Sequence, residues 1–227
     1  MNRYREIDKN AWPRRAVFEY YRTFQNQLFN ITLEVNAEPA YRMAKRTGRS
    51  FFLSMLYPLL RAVNAVPALR QRILDGERVV EFEHTAALTP ILGADDTFTM
   101  ALTEYADRFD AFLRQAEPAV AAAKRGEFDP AVRRRPDYFC ASCVPWYGFS
   151  SLTQAALRLD QSIVILAWGK MNRSFTIPVA LQLNHALAER PPCRTLSRSA
   201  RKGDRQHGGI RTLIRSASAP SCRSDRR

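Results

Sequence analysis

His185 closes the run Phe175-Thr-Ile-Pro-Val-Ala-Leu-Gln-Leu-Asn-His185. In an extended strand, alternate residues share a face, so Phe175, Ile177, Val179, Leu181, Leu183 and His185 form one row. The first five are apolar, and the sixth is an imidazole at the strand end, at the edge of a core and partly shielded from water. There a histidine can be kept neutral and used as a general base. The same position suits a core histidine with satisfied nitrogens, and the pattern leaves both readings open. Of the other two histidines, His84 sits between Glu83 and Thr85 at a turn and reads as exposed, while His207 falls in a polar tail. Ser142 lies in the strand-like run Tyr138-Phe-Cys-Ala-Ser-Cys-Val144, where a lone serine reads as structural. Cys140 and Cys143 in the same run form a Cys-x-x-Cys, but strand alternation puts them on opposite faces. A zinc site needs two more ligands and a redox pair usually opens a helix, so both read as small buried thiols and no metal is expected. Cys193 and Cys222 fall in the tail and read as incidental.

The elements that must position these groups follow from periodicity. Pro13 suits the first turn of a helix through Phe18 and Tyr21, and Leu28–Val35 alternates as a strand. Glu38–Thr47 reads as a helix. Phe51–Val66 reads as a buried helix, kinked at Pro58 and ended by Pro67. Strands are predicted at Arg78–Phe82, Ala86–Ile91 and Phe98–Thr103, a helix at Asp107–Lys124 and a loop at Asp129–Pro136. Further strands are predicted at Tyr138–Val144, Ser162–Gly169 and Phe175–Leu183. Strands and helices mix without regular βαβ alternation, which points to an α/β two-layer sandwich with a mixed β-sheet.

Composition divides the chain. Residues 190–227 hold eleven Lys and Arg against two acids, which is +9 of the chain's +13, so residues 1–189 carry +4. The tail is rich in Ser, Pro and Gly with no periodic apolar face, and cannot bury enough apolar surface to offset its ordering entropy. It is expected to be disordered. No aromatic residue interleaves its arginines for base stacking, so it does not point to a nucleic-acid partner. Residues 1–189 suit one domain with a sizeable core. The start, Met1-Asn-Arg-Tyr-Arg-Glu, lacks the apolar segment of a secretory leader, and the apolar stretch Phe51–Leu60 is half the length of a membrane span. No membrane association and a cytoplasmic location are expected.

An ordered series of short motifs adds to this reading. It comprises Ile7-Asp8, Trp12-Pro-Arg14, Phe18-Glu-Tyr-Tyr21, Phe51-Phe52 and Asp96-Thr-Phe98-Thr. Ser142-Cys-Val-Pro145-Trp146, Trp168-Gly-Lys170 and Pro178 to His185 complete it. Over residues 4–189 the chain resembles the trimeric chloramphenicol acetyltransferases of the H-x-x-x-D-G class. The resemblance implies the fold of the CoA-dependent acyltransferases, acetyl-CoA as co-substrate and chloramphenicol as acceptor. It also implies a homotrimer with sites at subunit interfaces, His185 on one subunit and most of the drug pocket on its neighbour. His185 takes the part of the general base and Ser142 that of the oxyanion donor. Arg14 takes the part of the arginine that pairs with the motif aspartate, here Glu189. Tyr21, Phe29 and Phe98 match drug-pocket positions, and Lys170 and Trp146 match the CoA side.

The departures are as informative as the matches. The family's preceding histidine is Asn184, a water-ordering threonine is Ala167, and an asparagine near the serine is Cys140. The motif itself reads His185-Ala-Leu-Ala-Glu189-Arg190, followed by Pro191-Pro192, which forbid the expected helix. Glu-Arg-Pro-Pro-Cys-Arg can be encoded GAG CGG CCT CCA TGT CGG. Without the third base the string reads GAC GGC CTC CAT GTC, or Asp-Gly-Leu-His-Val, the family's continuation. A one-base insertion at codon 189 would account for the lost motif and the Arg/Ser-rich tail together. Two alternatives stand beside active acetyl transfer. One is a lipoyl-domain acyltransferase, against which the lack of a lipoyl domain argues. The other is an inactive frameshifted pseudo-enzyme or basic-tailed binding protein.

Overall fold

The computed structural model describes residues 2–94 and 96–188. The expected disorder of residues 190–227, and the place of Glu189, lie outside the described residues.

Among the described residues, nine strands and five α-helices alternate irregularly. A six-stranded sheet has the order β2-β9-β8-β7-β5-β6, formed by Leu28–Asn36 (β2), Ala86–Leu92 (β5), Phe98–Thr103 (β6), Tyr138–Cys143 (β7), Ile165–Trp168 (β8) and Thr176–Asn184 (β9). The pairs β5·β7 and β7·β8 are parallel, and β2·β9, β8·β9 and β5·β6 are antiparallel. The sheet is therefore mixed, as predicted. A second, antiparallel sheet joins Tyr4–Glu6 (β1), Arg78–Phe82 (β4) and Gln71–Leu74 (β3). The sequence reading found β4 but neither of its neighbours.

Helices Glu38–Thr47 (α2), Phe51–Asn64 (α3) and Phe109–Lys124 (α5) cover one face of the large sheet. Before α2, Asn36 Oδ1 accepts the Glu38 N–H at 2.9 Å, and the helix ends where Gly48 takes φ +66°. In α3, Leu53, Met55, Leu56, Tyr57, Leu59, Leu60 and Val63 are all buried, as expected of a helix that is apolar nearly all round. These side chains meet Phe139 and Ala141 of β7, Leu166 and Trp168 of β8, and Ile177, Val179, Leu181 and Leu183 of β9. Cys143 also packs on this layer. Cys140 and Ser142 therefore point to the opposite face. The predicted 51–66 helix stops at Asn64, and Pro67–Arg70 begins a separate short helix, α4.

Two features of the predicted His185 row differ. Phe175 has φ +57° and precedes β9 in a turn, its N–H bonded to Asn172 O at 3.1 Å. At the other end the strand stops at Asn184, because Asn184 Oδ1 takes the Ala186 N–H at 2.9 Å and its carbonyl takes the Leu187 and Ala188 N–H groups at 3.1 Å. His185 is thus the first residue of a turn rather than the last residue of the strand.

Candidate active site

The turn after β9 carries His185 between two elements. Below it, Ala186 and Leu187 pack with Phe18 of helix Arg15–Arg22 (α1), with Val79, and with the partly buried Trp12, Tyr21 and Ile73. Arg14 Nη2 donates to Ala186 O at 3.3 Å, so this arginine braces the histidine turn directly. Above it, the His185 N–H donates to Gln27 O at 2.7 Å and extends the β2·β9 ladder one step past Leu28 and Asn184.

The imidazole is held by two aromatic rings. Tyr21 stacks on it with centroids 3.9 Å apart and planes 11° apart, and Phe29 lies at 4.5 Å and 39°. His185 is half-buried, and its Nδ1 is buried without a hydrogen-bond partner among the described residues. A half-buried imidazole fixed between rings can exchange a proton with a hydroxyl group brought beside its exposed edge.

The remaining sequence-predicted residues lie elsewhere in the chain. Ser142 pairs with Ala167, and Ala167 with Ala180. His185 is five residues further along from Ala180, about 16 Å at a strand rise of about 3.3 Å per residue, and two strand spacings add about 10 Å sideways. One copy of the chain therefore cannot present Ser142 and His185 to the same reacting atoms.

Phe98 pairs with Leu92 at the Ser142 end of the sheet and is 68 % exposed. Trp146, 62 % exposed, follows β7, and Lys170 follows β8, at that same end. The loops there are locked together. Lys170 N–H donates to Tyr147 O at 2.8 Å, and a Cβ at Gly169 would lie 2.7 Å from that same oxygen. The sequence-predicted residues thus fall into two groups, His185 with Tyr21 and Phe29 at one end of the sheet, and Ser142, Phe98, Trp146 and Lys170 at the other. Tyr21 and Phe29 lie with the histidine of their own copy, whereas Phe98 lies with Ser142.

The thiols of Cys140 and Cys143 are free, and burial pushes each up to about 11; Arg72 pulls Cys140 slightly the other way. Arg72 itself was not singled out in the sequence. It is 1 % exposed and donates to the carbonyls of Leu69, Gln71, Pro136 and Tyr138, and burial lowers it to about 10. Gln27, which ties down the histidine turn, was likewise missed, since a glutamine in a polar connector carries no signal of its own. No group of three or more His, Cys, Asp or Glu suited to a metal ion occurs among the described residues, and no helix there is long and apolar enough to cross a membrane.

This fold recurs in acyltransferases. The dihydrolipoamide acetyltransferase of Azotobacter vinelandii shares it at 12 % identity with a TM-score of 0.58, over 83 % of this chain and 84 % of that one. A solved chloramphenicol acetyltransferase is nearer, at 29 % identity and a TM-score of 0.75, with 82 % of this chain and 92 % of that one covered. Among curated proteins, the chloramphenicol acetyltransferase of Escherichia coli is 24 % identical over 190 residues, covering 82 % of this chain and 87 % of its own. That of Streptomyces acrimycini is 26 % identical over 189 residues, covering 81 % and 86 %. The family model for chloramphenicol acetyltransferase matches residues 1–191, and the chain belongs to that family.

Proposed function

We propose that the chain transfers an acetyl group from acetyl-CoA to the 3-hydroxyl of chloramphenicol, with His185 as general base. The observation that carries this reading is the imidazole seated between Tyr21 and Phe29 at the end of β9, in a chain of this family. His185 takes the hydroxyl proton as the oxygen attacks the thioester carbonyl carbon. The Ser142 hydroxyl donates to the oxyanion that forms. As the carbon–sulfur bond breaks, the departing CoA thiolate takes the proton back from the imidazolium. Tyr21, Phe29 and Phe98 hold the drug's apolar parts, and Lys170 and Trp146 meet CoA, the lysine as a point charge for a phosphate. Arg14 braces the histidine turn through the Ala186 carbonyl.

Because the half-sites lie at opposite ends of the sheet, each site is completed by a second copy, and a homotrimer is the assembly we infer. The protein works in the cytoplasm, where acetyl-CoA is available, and confers resistance to the antibiotic. The test is acetylation of chloramphenicol by the purified chain, followed by thiol release from acetyl-CoA. Turnover in the wild-type chain and its loss in His185→Ala are expected; undiminished turnover in His185→Ala rules out the base.

One sequence observation favours a second reading, an inactive descendant of such an enzyme: Glu189-Arg190 stand where the family has Asp-Gly. Glutamate adds a rotor to any pairing with Arg14, and Arg190 resists a turn that needs φ > 0. Restoring Asp-Gly with the single-frame continuation discriminates the two. Gain of activity from none supports the inactive reading, and equal activity removes it.

A further inference from the structure

Gln27 lies in the connector between α1 and β2 and is 4 % exposed. Its N–H donates to Leu159 O at 2.9 Å, and its carbonyl accepts the His185 N–H at 2.7 Å. Its side-chain Nε2 donates to Arg22 O at 3.3 Å and Phe24 O at 3.4 Å. Its Oε1 accepts from Arg22 Nη1 at 3.1 Å and from Asn184 Nδ2 at 3.2 Å. Asn184, also buried, donates further to Asp160 O at 3.2 Å and Gln161 O at 3.1 Å, while its Oδ1 holds the Ala186 N–H.

We propose that Gln27, acting through Asn184, is the positioning residue that seats the His185 ring between Tyr21 and Phe29. The proposal rests on the reading of His185 as the base and adds what sets that base's geometry. Tyr21 is on α1, Phe29 on β2 and His185 on the turn after β9. Three separate segments must meet to form the slot; Gln27 is hydrogen-bonded to α1 and to the end of β9 and its turn, and leads directly into β2. Its amide closes the α1–β2 connector on itself, its carbonyl holds His185, and its Oε1 holds the residue before His185. The main-chain bond alone survives any side-chain change, but it is the last rung of a ladder and would fray without the amide. Replacing the amide by an apolar group would take a partner from Arg22 Nη1 and from the carbonyls of Arg22 and Phe24 at a partly buried place, and would cut the side-chain link to Asn184, whose amide keeps Asp160 O and Gln161 O. The connector and the turn then shift apart, and the stacked ring loses its fixed position.

The test uses the full-length chain labelled with ¹³C-histidine. The chain has three histidines. His185 stacks on Tyr21, and His84, far from the turn, stacks on Tyr105 at 4.2 Å and 9°, an internal control with its own ring-current shift. In Gln27→Leu the His185 resonance is expected to lose its upfield displacement or broaden, with the His84 resonance unmoved. The kcat for chloramphenicol acetylation is expected to fall about 10- to 100-fold, as for a misplaced catalytic group, with KM little changed. An unmoved His185 resonance in a folded Gln27→Leu chain overturns the proposal, as does a kcat within about twofold of wild type. If Gln27→Leu does not fold, Asn184→Ser, which keeps an oxygen for Ala186 N–H but loses the bond to Gln27, is judged by the same criteria. A wild-type chain without acetyltransferase activity refutes the catalytic reading of His185 alone. The resonances still decide whether Gln27 positions the ring.

Discussion

Gly169→Ala should weaken the fold and the serine half-site together. A Cβ built at Gly169 lies 2.7 Å from Tyr147 O, 2.8 Å from Phe149 Cε1 and 2.8 Å from Pro178 Cγ. Two of these atoms belong to the loop that follows β7, and the third to β9, to whose Pro178 carbonyl the Gly169 N–H itself donates at 3.0 Å. The methyl cannot be relieved by turning one flexible side chain, because the closest atom is a main-chain oxygen held by Lys170 N–H at 2.8 Å. Overpacking of this kind costs about 1–3 kcal/mol. For a chain of this size each kcal/mol lowers Tm by about 2–4 °C, so a fall of about 2–12 °C is expected. The Trp146 loop and Lys170 must separate to make room, so the KM for acetyl-CoA should rise more than that for chloramphenicol. Thermal melting followed by circular dichroism and steady-state kinetics on both substrates measure this. A Tm within 1 °C of wild type, with both KM values unchanged, would refute the steric argument.

Cys140 and Cys143, whose thiols burial pushes up to about 11, should resist iodoacetamide at pH 8 in the folded chain and react fully in denaturant, as peptide mapping would reveal. Alkylation of both at the rate of a free thiol would contradict their burial. Asp137 is buried; burial pushes its carboxyl up, but hydrogen bonds from Arg135 and the Asn2 N–H outweigh this and hold it below the usual range. A carboxyl so depressed stabilises the fold above about pH 4, and that contribution fades as pH falls through its folded value. Asp137→Asn should therefore lower stability at pH 7, by somewhat under the about 3–5 kcal/mol of fully buried pairs, with the difference shrinking below pH 4. A pH-independent difference in Tm would show that the carboxylate charge is not the cause.

Much of the scaffold is legible in local pattern. Helix α2 has the predicted limits, Glu38 to Thr47, because a proline near its start and Gly48 past its end punctuate a clear amphipathic repeat. Strands β4 and β6 also match their predicted spans, and β2 and β7 differ by one residue at one end. The short strands β1 and β3 escaped notice because three or four residues that include Arg5, Glu6 and Arg72 show no alternation of polarity. Arg72 is buried only because carbonyls of Leu69 and Gln71 and, from a distant stretch, of Pro136 and Tyr138 converge on it, and the sequence around residue 72 does not announce the distant pair. The site was legible in part. The imidazole at the strand end follows from alternation, but the stop at Asn184 depends on that residue's own side chain capping the turn. The separation of Ser142 from His185 depends on strand order and register, which long-range pairing decides. The family resemblance singled out Tyr21 and Phe29 as drug-pocket positions, but their contacts with His185 in the same copy emerge only from the structure.

Complementation between two inactive variants tests the central claim most directly. His185→Ala removes one half-site and Ser142→Ala the other, the latter expected to lower turnover about 10²–10³-fold. If each site joins His185 of one copy to Ser142 of the next around a closed ring, mixed assemblies of the two variants contain some interfaces with both residues intact. Equal, random mixing leaves about a quarter of the interfaces whole. Co-expressed and co-purified, the two chains should recover about a quarter of the wild-type rate of chloramphenicol acetylation, far above the sum of the separate variants. A rate equal to that sum, in assemblies shown to contain both chains, would contradict a site shared between copies.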